Sequence, residues 1–200
     1  MTSAGATSQV ALGFRVKSGW ATAIVLSGPD SAPHVLERRI VDLSDSAQAG
    51  STQPYHAVMA APKKDAAQVE ERLCKVVRAC AKKSVDQLLT DIRKASHDVS
   101  AAGLVVGSDT NPERIKNDHI RAHALEGRLF RTALADALTA HGLGCSVIVE
   151  REAYGKAAPS LALSEDKLKR AIAELGRSVG GPWRADEKMA ALAAWVVLRQ

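Results

Sequence analysis

Three short apolar runs open the chain. Residues 9–14 (QVALGF) and 20–26 (WATAIVL) are of strand type, and Ser18 with Gly19 marks a turn between them. Residues 27–33 carry turn chemistry, with Pro29 and Pro33, and residues 34–43 (HVLERRIVDL) read as a third strand. Three strands joined by short turns predict an antiparallel meander. The apolar period then lapses. Residues 44–64 are rich in Ser, Gln, Ala and Gly, with Pro54 and Pro62, and predict a loop longer than a connector needs, in which Tyr55 and His56 stand out.

Helical spacing follows. Val69, Leu73, Val76, Val77, Cys80, Leu88 and Ile92 fall mostly at i, i+3, i+4, i+7 and predict a helix over 65–95. Residues 103–107 (GLVVG) are a buried-strand signal, and residues 145–150 (CSVIVE) are another. Between them a helix runs over about 117–141, capped by Asn117 or Asp118 and stopped by Gly142 and Gly144. Two further helices are predicted over 164–176 and 184–198, separated by Gly180, Gly181 and Pro182. The order βββ-α-β-α-β-α-α predicts an α/β fold, a mixed sheet with helices on both faces. The two late strands should run parallel to the first, since a helical crossover reaches each. Residues 9–200 are expected to form one domain, with residues 1–8 a frayed terminus.

Composition narrows the classes. No apolar run is long enough to span a bilayer, and the first residues lack the charged and apolar regions of a secretory signal. Three cysteines, Cys74, Cys80 and Cys145, show no metal or redox spacing and predict reduced thiols in a cytoplasmic protein. The net charge of +5 and pI near 9.2 are compatible with a polyanionic partner. The basic residues are dispersed, however, and aromatics make up only 4%, too few for a base-stacking platform. Phosphate-loop, nucleophile-elbow and zinc-finger spacings are missing.

The element order, with residues 12–21 (LGFRVKSGWA) and 185–194 (ADEKMAALAA), resembles the ribonuclease-H-like superfamily in its Holliday-junction-resolvase branch. In that branch the first strand ends in a glycine, an apolar residue and an aspartate, and the closing helix carries an acid ahead of an alanine-rich run. The resemblance implies a nuclease in which carboxylates at the strand ends hold two divalent cations, clamping the attacking and leaving oxygens of a phosphodiester. Here Arg15 takes the aspartate position, and no carboxylate occurs between Gln9 and Pro29. A guanidinium cannot bind Mg²⁺ and repels it. The first-strand acidic position is therefore degenerate.

Other acids sit where an open α/β sheet places its crevice, outside the carboxyl ends of the strands. Asp109 follows the 103–107 strand, Glu150 and Glu152 follow the next, and Asp186 and Glu187 begin the last helix. On the 117–141 helix, His119, His123 and Glu126 stand at i, i+4 and i+7, continued by Phe130, Leu134 and Ala137. The apolar continuation predicts that this face turns to the sheet, with the polar trio at the crevice. The trio suits a transition-metal site needing a further ligand, acid–base or phosphate contact, or a plain polar network. Gly127 interrupts the helix and suggests close approach of another backbone. Arg128 and Arg131 lie off that face with Arg121. With Arg15 and Lys17, Arg128 and Arg131 are candidate nucleic-acid contacts. Lys75, Arg78 and Lys82 form a stripe on the long helix that reads as solvated.

The reading that results is a nucleic-acid-associated binding protein without the two-metal nuclease site. Two alternatives stay open. One is a metal-dependent phosphodiesterase or nuclease using Asp109, Glu150 and Asp186 with His119, His123 and Glu126. Its divalent metal is unassigned. The other is an interaction subunit, binding a protein partner or a second copy through Trp183 and Trp195.

Overall fold

The computed structural model describes residues 8–199. The expected frayed terminus, 1–8, lies outside them except for Ser8, which already pairs in the first strand.

Strands β1 (Ser8–Val16), β2 (Trp20–Ser27) and β3 (His34–Asp42) form the predicted meander. The long helix α2 (Ala66–Lys94) leads to β4 (His97–Val106). Helix α3 (Asp118–Thr139) leads to β5 (Cys145–Val149). The sheet order is β3-β2-β1-β4-β5. β1 and β2 are antiparallel, as are β2 and β3, while β4 pairs parallel to β1 and β5 parallel to β4. Both crossover strands thus run with β1, as expected. The remaining helices are α1 (Pro54–Ala60), α4 (Ala153–Ser160), α5 (Glu165–Leu175) and α6 (Ala185–Leu198). Among the described residues no helix is long and apolar enough to cross a membrane.

Alternation along β1 divides the core in two. Val10, Leu12, Phe14 and Val16 face α2 and α3, where they meet Leu73, Leu88, Phe130 and Leu134. The other row of β1, Ala11, Gly13 and Arg15, faces α6. Gly13 lies opposite Gly103 of β4 in the parallel register. Together they make a floor without side chains on which the alanines of α6 rest. An ideal Cβ on Gly13 would fall 1.9 Å from the Ala190 carbonyl oxygen and 2.4 Å from the Ala194 nitrogen. One on Gly103 would lie 2.7 Å from the Ala193 carbonyl oxygen. The helix backbone therefore lies directly on the sheet backbone. α6 is buried all round, with Ala190, Ala191, Leu192, Ala193 and Ala194 at 1% exposure or less. Such a helix carries no amphipathic stripe.

Two sequence expectations are corrected. The stretch 44–64 is not a featureless loop. It contains α1, begun by Pro54 at the first helical position, and both Ser51 and Pro54 are buried. Ser51 is held by its hydroxyl, which donates to the Asp45 carbonyl at 2.7 Å. The tryptophans do not form a partner surface. Trp195 is buried and donates its indole N–H to the Asp30 carbonyl at 2.7 Å, and Trp183 donates to the Ile172 carbonyl at 2.8 Å while packing over Gly176. The cysteines are free thiols, Cys74 buried and the others partly so, and burial pushes the Cys145 thiol up to about 11.

Candidate functional site

β1 and β4 end side by side, and α6 begins across from them. This brings Arg15, Glu150 and Asp186 together. Arg15 is the last inward residue of the α6-facing row of β1, beyond Gly13, and is 4% exposed. Glu150 directly follows β5, and Asp186 lies in the first turn of α6. The Arg15 Nη2 donates to Glu150 Oε2 at 2.5 Å, its Nη1 donates to the Val16 carbonyl at 2.6 Å, and its Nε lies 3.9 Å from Asp186 Oδ1. Lys17 adds a second cation, 3.1 Å from Asp186 Oδ1. A buried guanidinium needs such partners, because an unpaired buried charge is costly.

The residues do not fit two divalent cations. The carboxylates that could take part, Glu150 and Asp186, are already engaged by Arg15 and Lys17. A metal between them would stand against a guanidinium that cannot leave without becoming an orphan in the core.

Arg15 and Lys17 also line a crevice of about 260 Å³ at the carboxyl ends of β1 and β4. Lys17, Ser18, Ser108, Thr110, His123 and Gly127 contribute to its walls. The predicted helix face therefore does reach the crevice, but only through His123. Glu126 is fully buried behind it, and His119 stands exposed. Gly127 borders open space, with nothing within 4 Å of an added Cβ, so the expected close backbone approach does not occur. Gly127→Ala should accordingly stabilise the protein by roughly 0.5–1 kcal/mol through helix propensity, read by urea denaturation. A net loss of stability would contradict the open space seen there.

The remaining predicted residues are drawn elsewhere. Asp109 is exposed and bound to Arg131, and Arg128 Nη1 donates to Glu113 Oε1 at 2.9 Å. Arg128 beside Glu113 holds that carboxyl below its usual range. Asp109 thus does not join Glu150 and Asp186, and each of the two arginines gives one of its N–H donors to a neighbouring acid. Glu152 pairs with Lys156 at 2.8 Å, and Glu187 accepts from the Arg184 backbone N–H at 2.9 Å as a helix cap.

Sequence reasoning missed the part played by His56. It stands on α1 and donates from Nδ1 to Glu126 Oε1 at 2.8 Å, while its backbone N–H lies 3.3 Å from the same oxygen. Its Nε2 is 3.2 Å from His119 Nδ1, and His119 Nε2 is 3.2 Å from His123 Nε2. Three imidazoles thus gather over one buried carboxylate. The available signal was weak: Pro54 followed by Pro62 brackets a helix, but the run between them is seven residues long.

No protein-family model matches the chain, and no curated protein sequence matches it. Solved structures do. The Thermus thermophilus RuvC in complex with Holliday junction substrate superposes with a TM-score of 0.58 at 9% identity, over 95% of this chain and 93% of that one. A second Thermus thermophilus RuvC structure gives 0.55 at 13% identity over the same shares, 95% and 93%. The yeast mitochondrial Holliday junction resolvase gives 0.47 at 10% identity, over 97% of this chain and 78% of that one.

Proposed function

We propose that this protein, a ribonuclease-H-like chain in the resolvase arrangement, binds nucleic acid at the strand-end crevice and does not cleave it by two-metal chemistry. The observation that carries this reading is the buried Arg15, bound to Glu150 and close to Asp186 at the head of the crevice. A site built to hold Mg²⁺ gathers oxygen ligands with no cation among them. This one has a guanidinium at its centre.

Anion binding at the same place has support of its own. Lys17 stands at the mouth, about one-third exposed, and the hydroxyls of Ser18, Ser108 and Thr110 surround the opening. Such groups suit phosphate oxygens, which position a nucleic acid without reading its bases. The net charge of +5 favours a polyanion. One of the similar folds was solved with a Holliday junction, which makes branched DNA the first ligand to try. The free thiols suit a reducing, cytoplasmic setting.

The test is fluorescence anisotropy with a four-way junction and a duplex of equal length. Binding should weaken steeply with salt, and Lys17→Ala should lower the slope of log affinity against log salt by about one for every DNA tried. Neither DNA should be cut in Mg²⁺. Salt-insensitive or absent binding would end the proposal, as would Mg²⁺-dependent cleavage that Glu150→Gln removes.

A further inference from the structure

We infer that His56, His119 and His123 form a binding site for one zinc-class transition-metal ion, with Glu126 as the buried carboxylate that orients its ligands. One ligand nitrogen from each histidine lies within 4.8 Å of the others. His119 stands between the other two rings, its Nδ1 3.2 Å from His56 Nε2 and its Nε2 3.2 Å from His123 Nε2, so whichever of its nitrogens binds an ion, one ligand spacing is already 3.2 Å and the third ring must turn to join. Tetrahedral zinc, with bonds of about 2.0 Å, sets its ligand nitrogens about 3.3 Å apart. His119 and His123 are on the helix surface, so modest rotation of their rings closes the set around an ion, while His56 is held in place by Glu126.

The second observation is Glu126 itself. It is fully buried, and its Oε2 finds no hydrogen-bond partner. A metal-free proton chain leaves it so. If His56 donates from Nδ1 to Oε1, His119 donates to His56 and His123 donates from Nε2 to His119. The Nδ1 of His123, 3.8 Å from Oε2, then presents a lone pair to a carboxylate. A metal on His123 Nε2 reverses this. The proton moves to Nδ1 and faces Oε2 across 3.8 Å, and the same ring turn that closes the ligand set brings this N–H within reach of the second oxygen of Glu126. This is the carboxylate–histidine–metal arrangement that fixes tautomers in zinc sites. The ion also balances a carboxylate buried without a charged lysine or arginine on it. Imidazole ligands select zinc, cobalt or nickel over magnesium. Three protein ligands leave a fourth position for water or an incoming oxygen ligand such as phosphate, and His123 also lines the crevice.

The site does not depend on the nucleic-acid reading, and its test uses metal alone. The full chain, stripped with a chelator, is titrated with Co²⁺ and Zn²⁺. One equivalent should bind, Co²⁺ should show the intense visible bands of tetrahedral coordination, and the melting temperature should rise. Millimolar Mg²⁺ should not compete. The double variant His119→Ala/His123→Ala alters exposed side chains and should fold, yet lose at least about 100-fold in affinity. Glu126→Gln should lose about 10–100-fold while keeping the tetrahedral spectrum. Absence of saturable binding at one equivalent, or equal affinity in the double variant, would overturn the site. Unchanged affinity in Glu126→Gln would overturn the role of the carboxylate.

Discussion

Gly13→Ala is expected to destabilise the protein by about 3 kcal/mol or more, although it adds a single methyl group. Overpacking a tight core usually costs about 1–3 kcal/mol because side chains can shift. Here the added carbon meets backbone, the Ala190 carbonyl oxygen at 1.9 Å and the Ala194 nitrogen at 2.4 Å. Backbone within a buried helix cannot rotate away, so α6 as a whole must rise from the sheet. That movement would also lift Asp186 away from Arg15 and Lys17. The matched variant Gly103→Ala faces only the Ala193 residue, its carbonyl oxygen at 2.7 Å and its carbonyl carbon at 3.1 Å, and should cost less. Chemical denaturation of both variants checks the order. A Gly13→Ala protein as stable as the parent would mean that α6 does not lie on the strand as described.

Arg15→Asp should have an effect of similar size that depends on the solution. In chelator, the substitution sets a third carboxylate beside Glu150 and Asp186 and removes the cation that both face. Removing one member of a buried ion pair costs about 3–5 kcal/mol. Partial exposure of the two remaining acids moderates this, with Glu150 at 39% and Asp186 at 26%, while their repulsion of the new acid adds to it. A loss of about 3 kcal/mol is expected. Millimolar Mg²⁺ or Mn²⁺ should restore much of it, because three converging carboxylates are ligands for a hard cation. The parent should gain nothing there from Mg²⁺. Denaturation curves with and without the ion decide the matter. A variant of unchanged stability in chelator, or one that Mg²⁺ does not help, would show that Arg15 is not what holds Glu150 and Asp186 together.

Most of the fold could be read from periodicity. The meander and the two parallel crossovers lie near where apolar runs and spacing put them, although β4 begins at His97, six residues before the 103–107 run, and α6 was legible as a continuous apolar stretch with no single face. The short helices α1 and α4 escaped notice for the opposite reason. With seven and eight residues, each is too brief for a period to repeat, and their positions depend on contacts made elsewhere. α1 lacks a side-chain cap on Gln53, and Glu126 of a distant helix accepts from its His56 N–H instead.

The candidate site was legible in proportion to its locality. His119, His123 and Glu126 share one helix face, so their spacing alone joined them. His56 joins them from 63 residues away, and nothing near it in the chain announces α3. The meeting of Arg15 with Glu150 spans 135 residues and was reachable only through sheet topology. Charge was harder to read. Arg128 and Arg131 resembled a phosphate-tracking pair, and spacing cannot show that Glu113 and Asp109 each also reach one of them.

The central strand of the sheet is also the earliest in the chain. On one side β1 needs only β2, a hairpin partner that forms locally and early. On the other it needs β4, and their pairing of Ser8 with His97 closes a loop of nearly ninety residues. Until α2 and β4 emerge and dock, the meander must exist with both apolar faces and the bonding edge of β1 uncovered. The slow step of refolding is therefore expected to be the capture of β4 by β1, and a chain halted before it would offer a sticky strand edge to its neighbours.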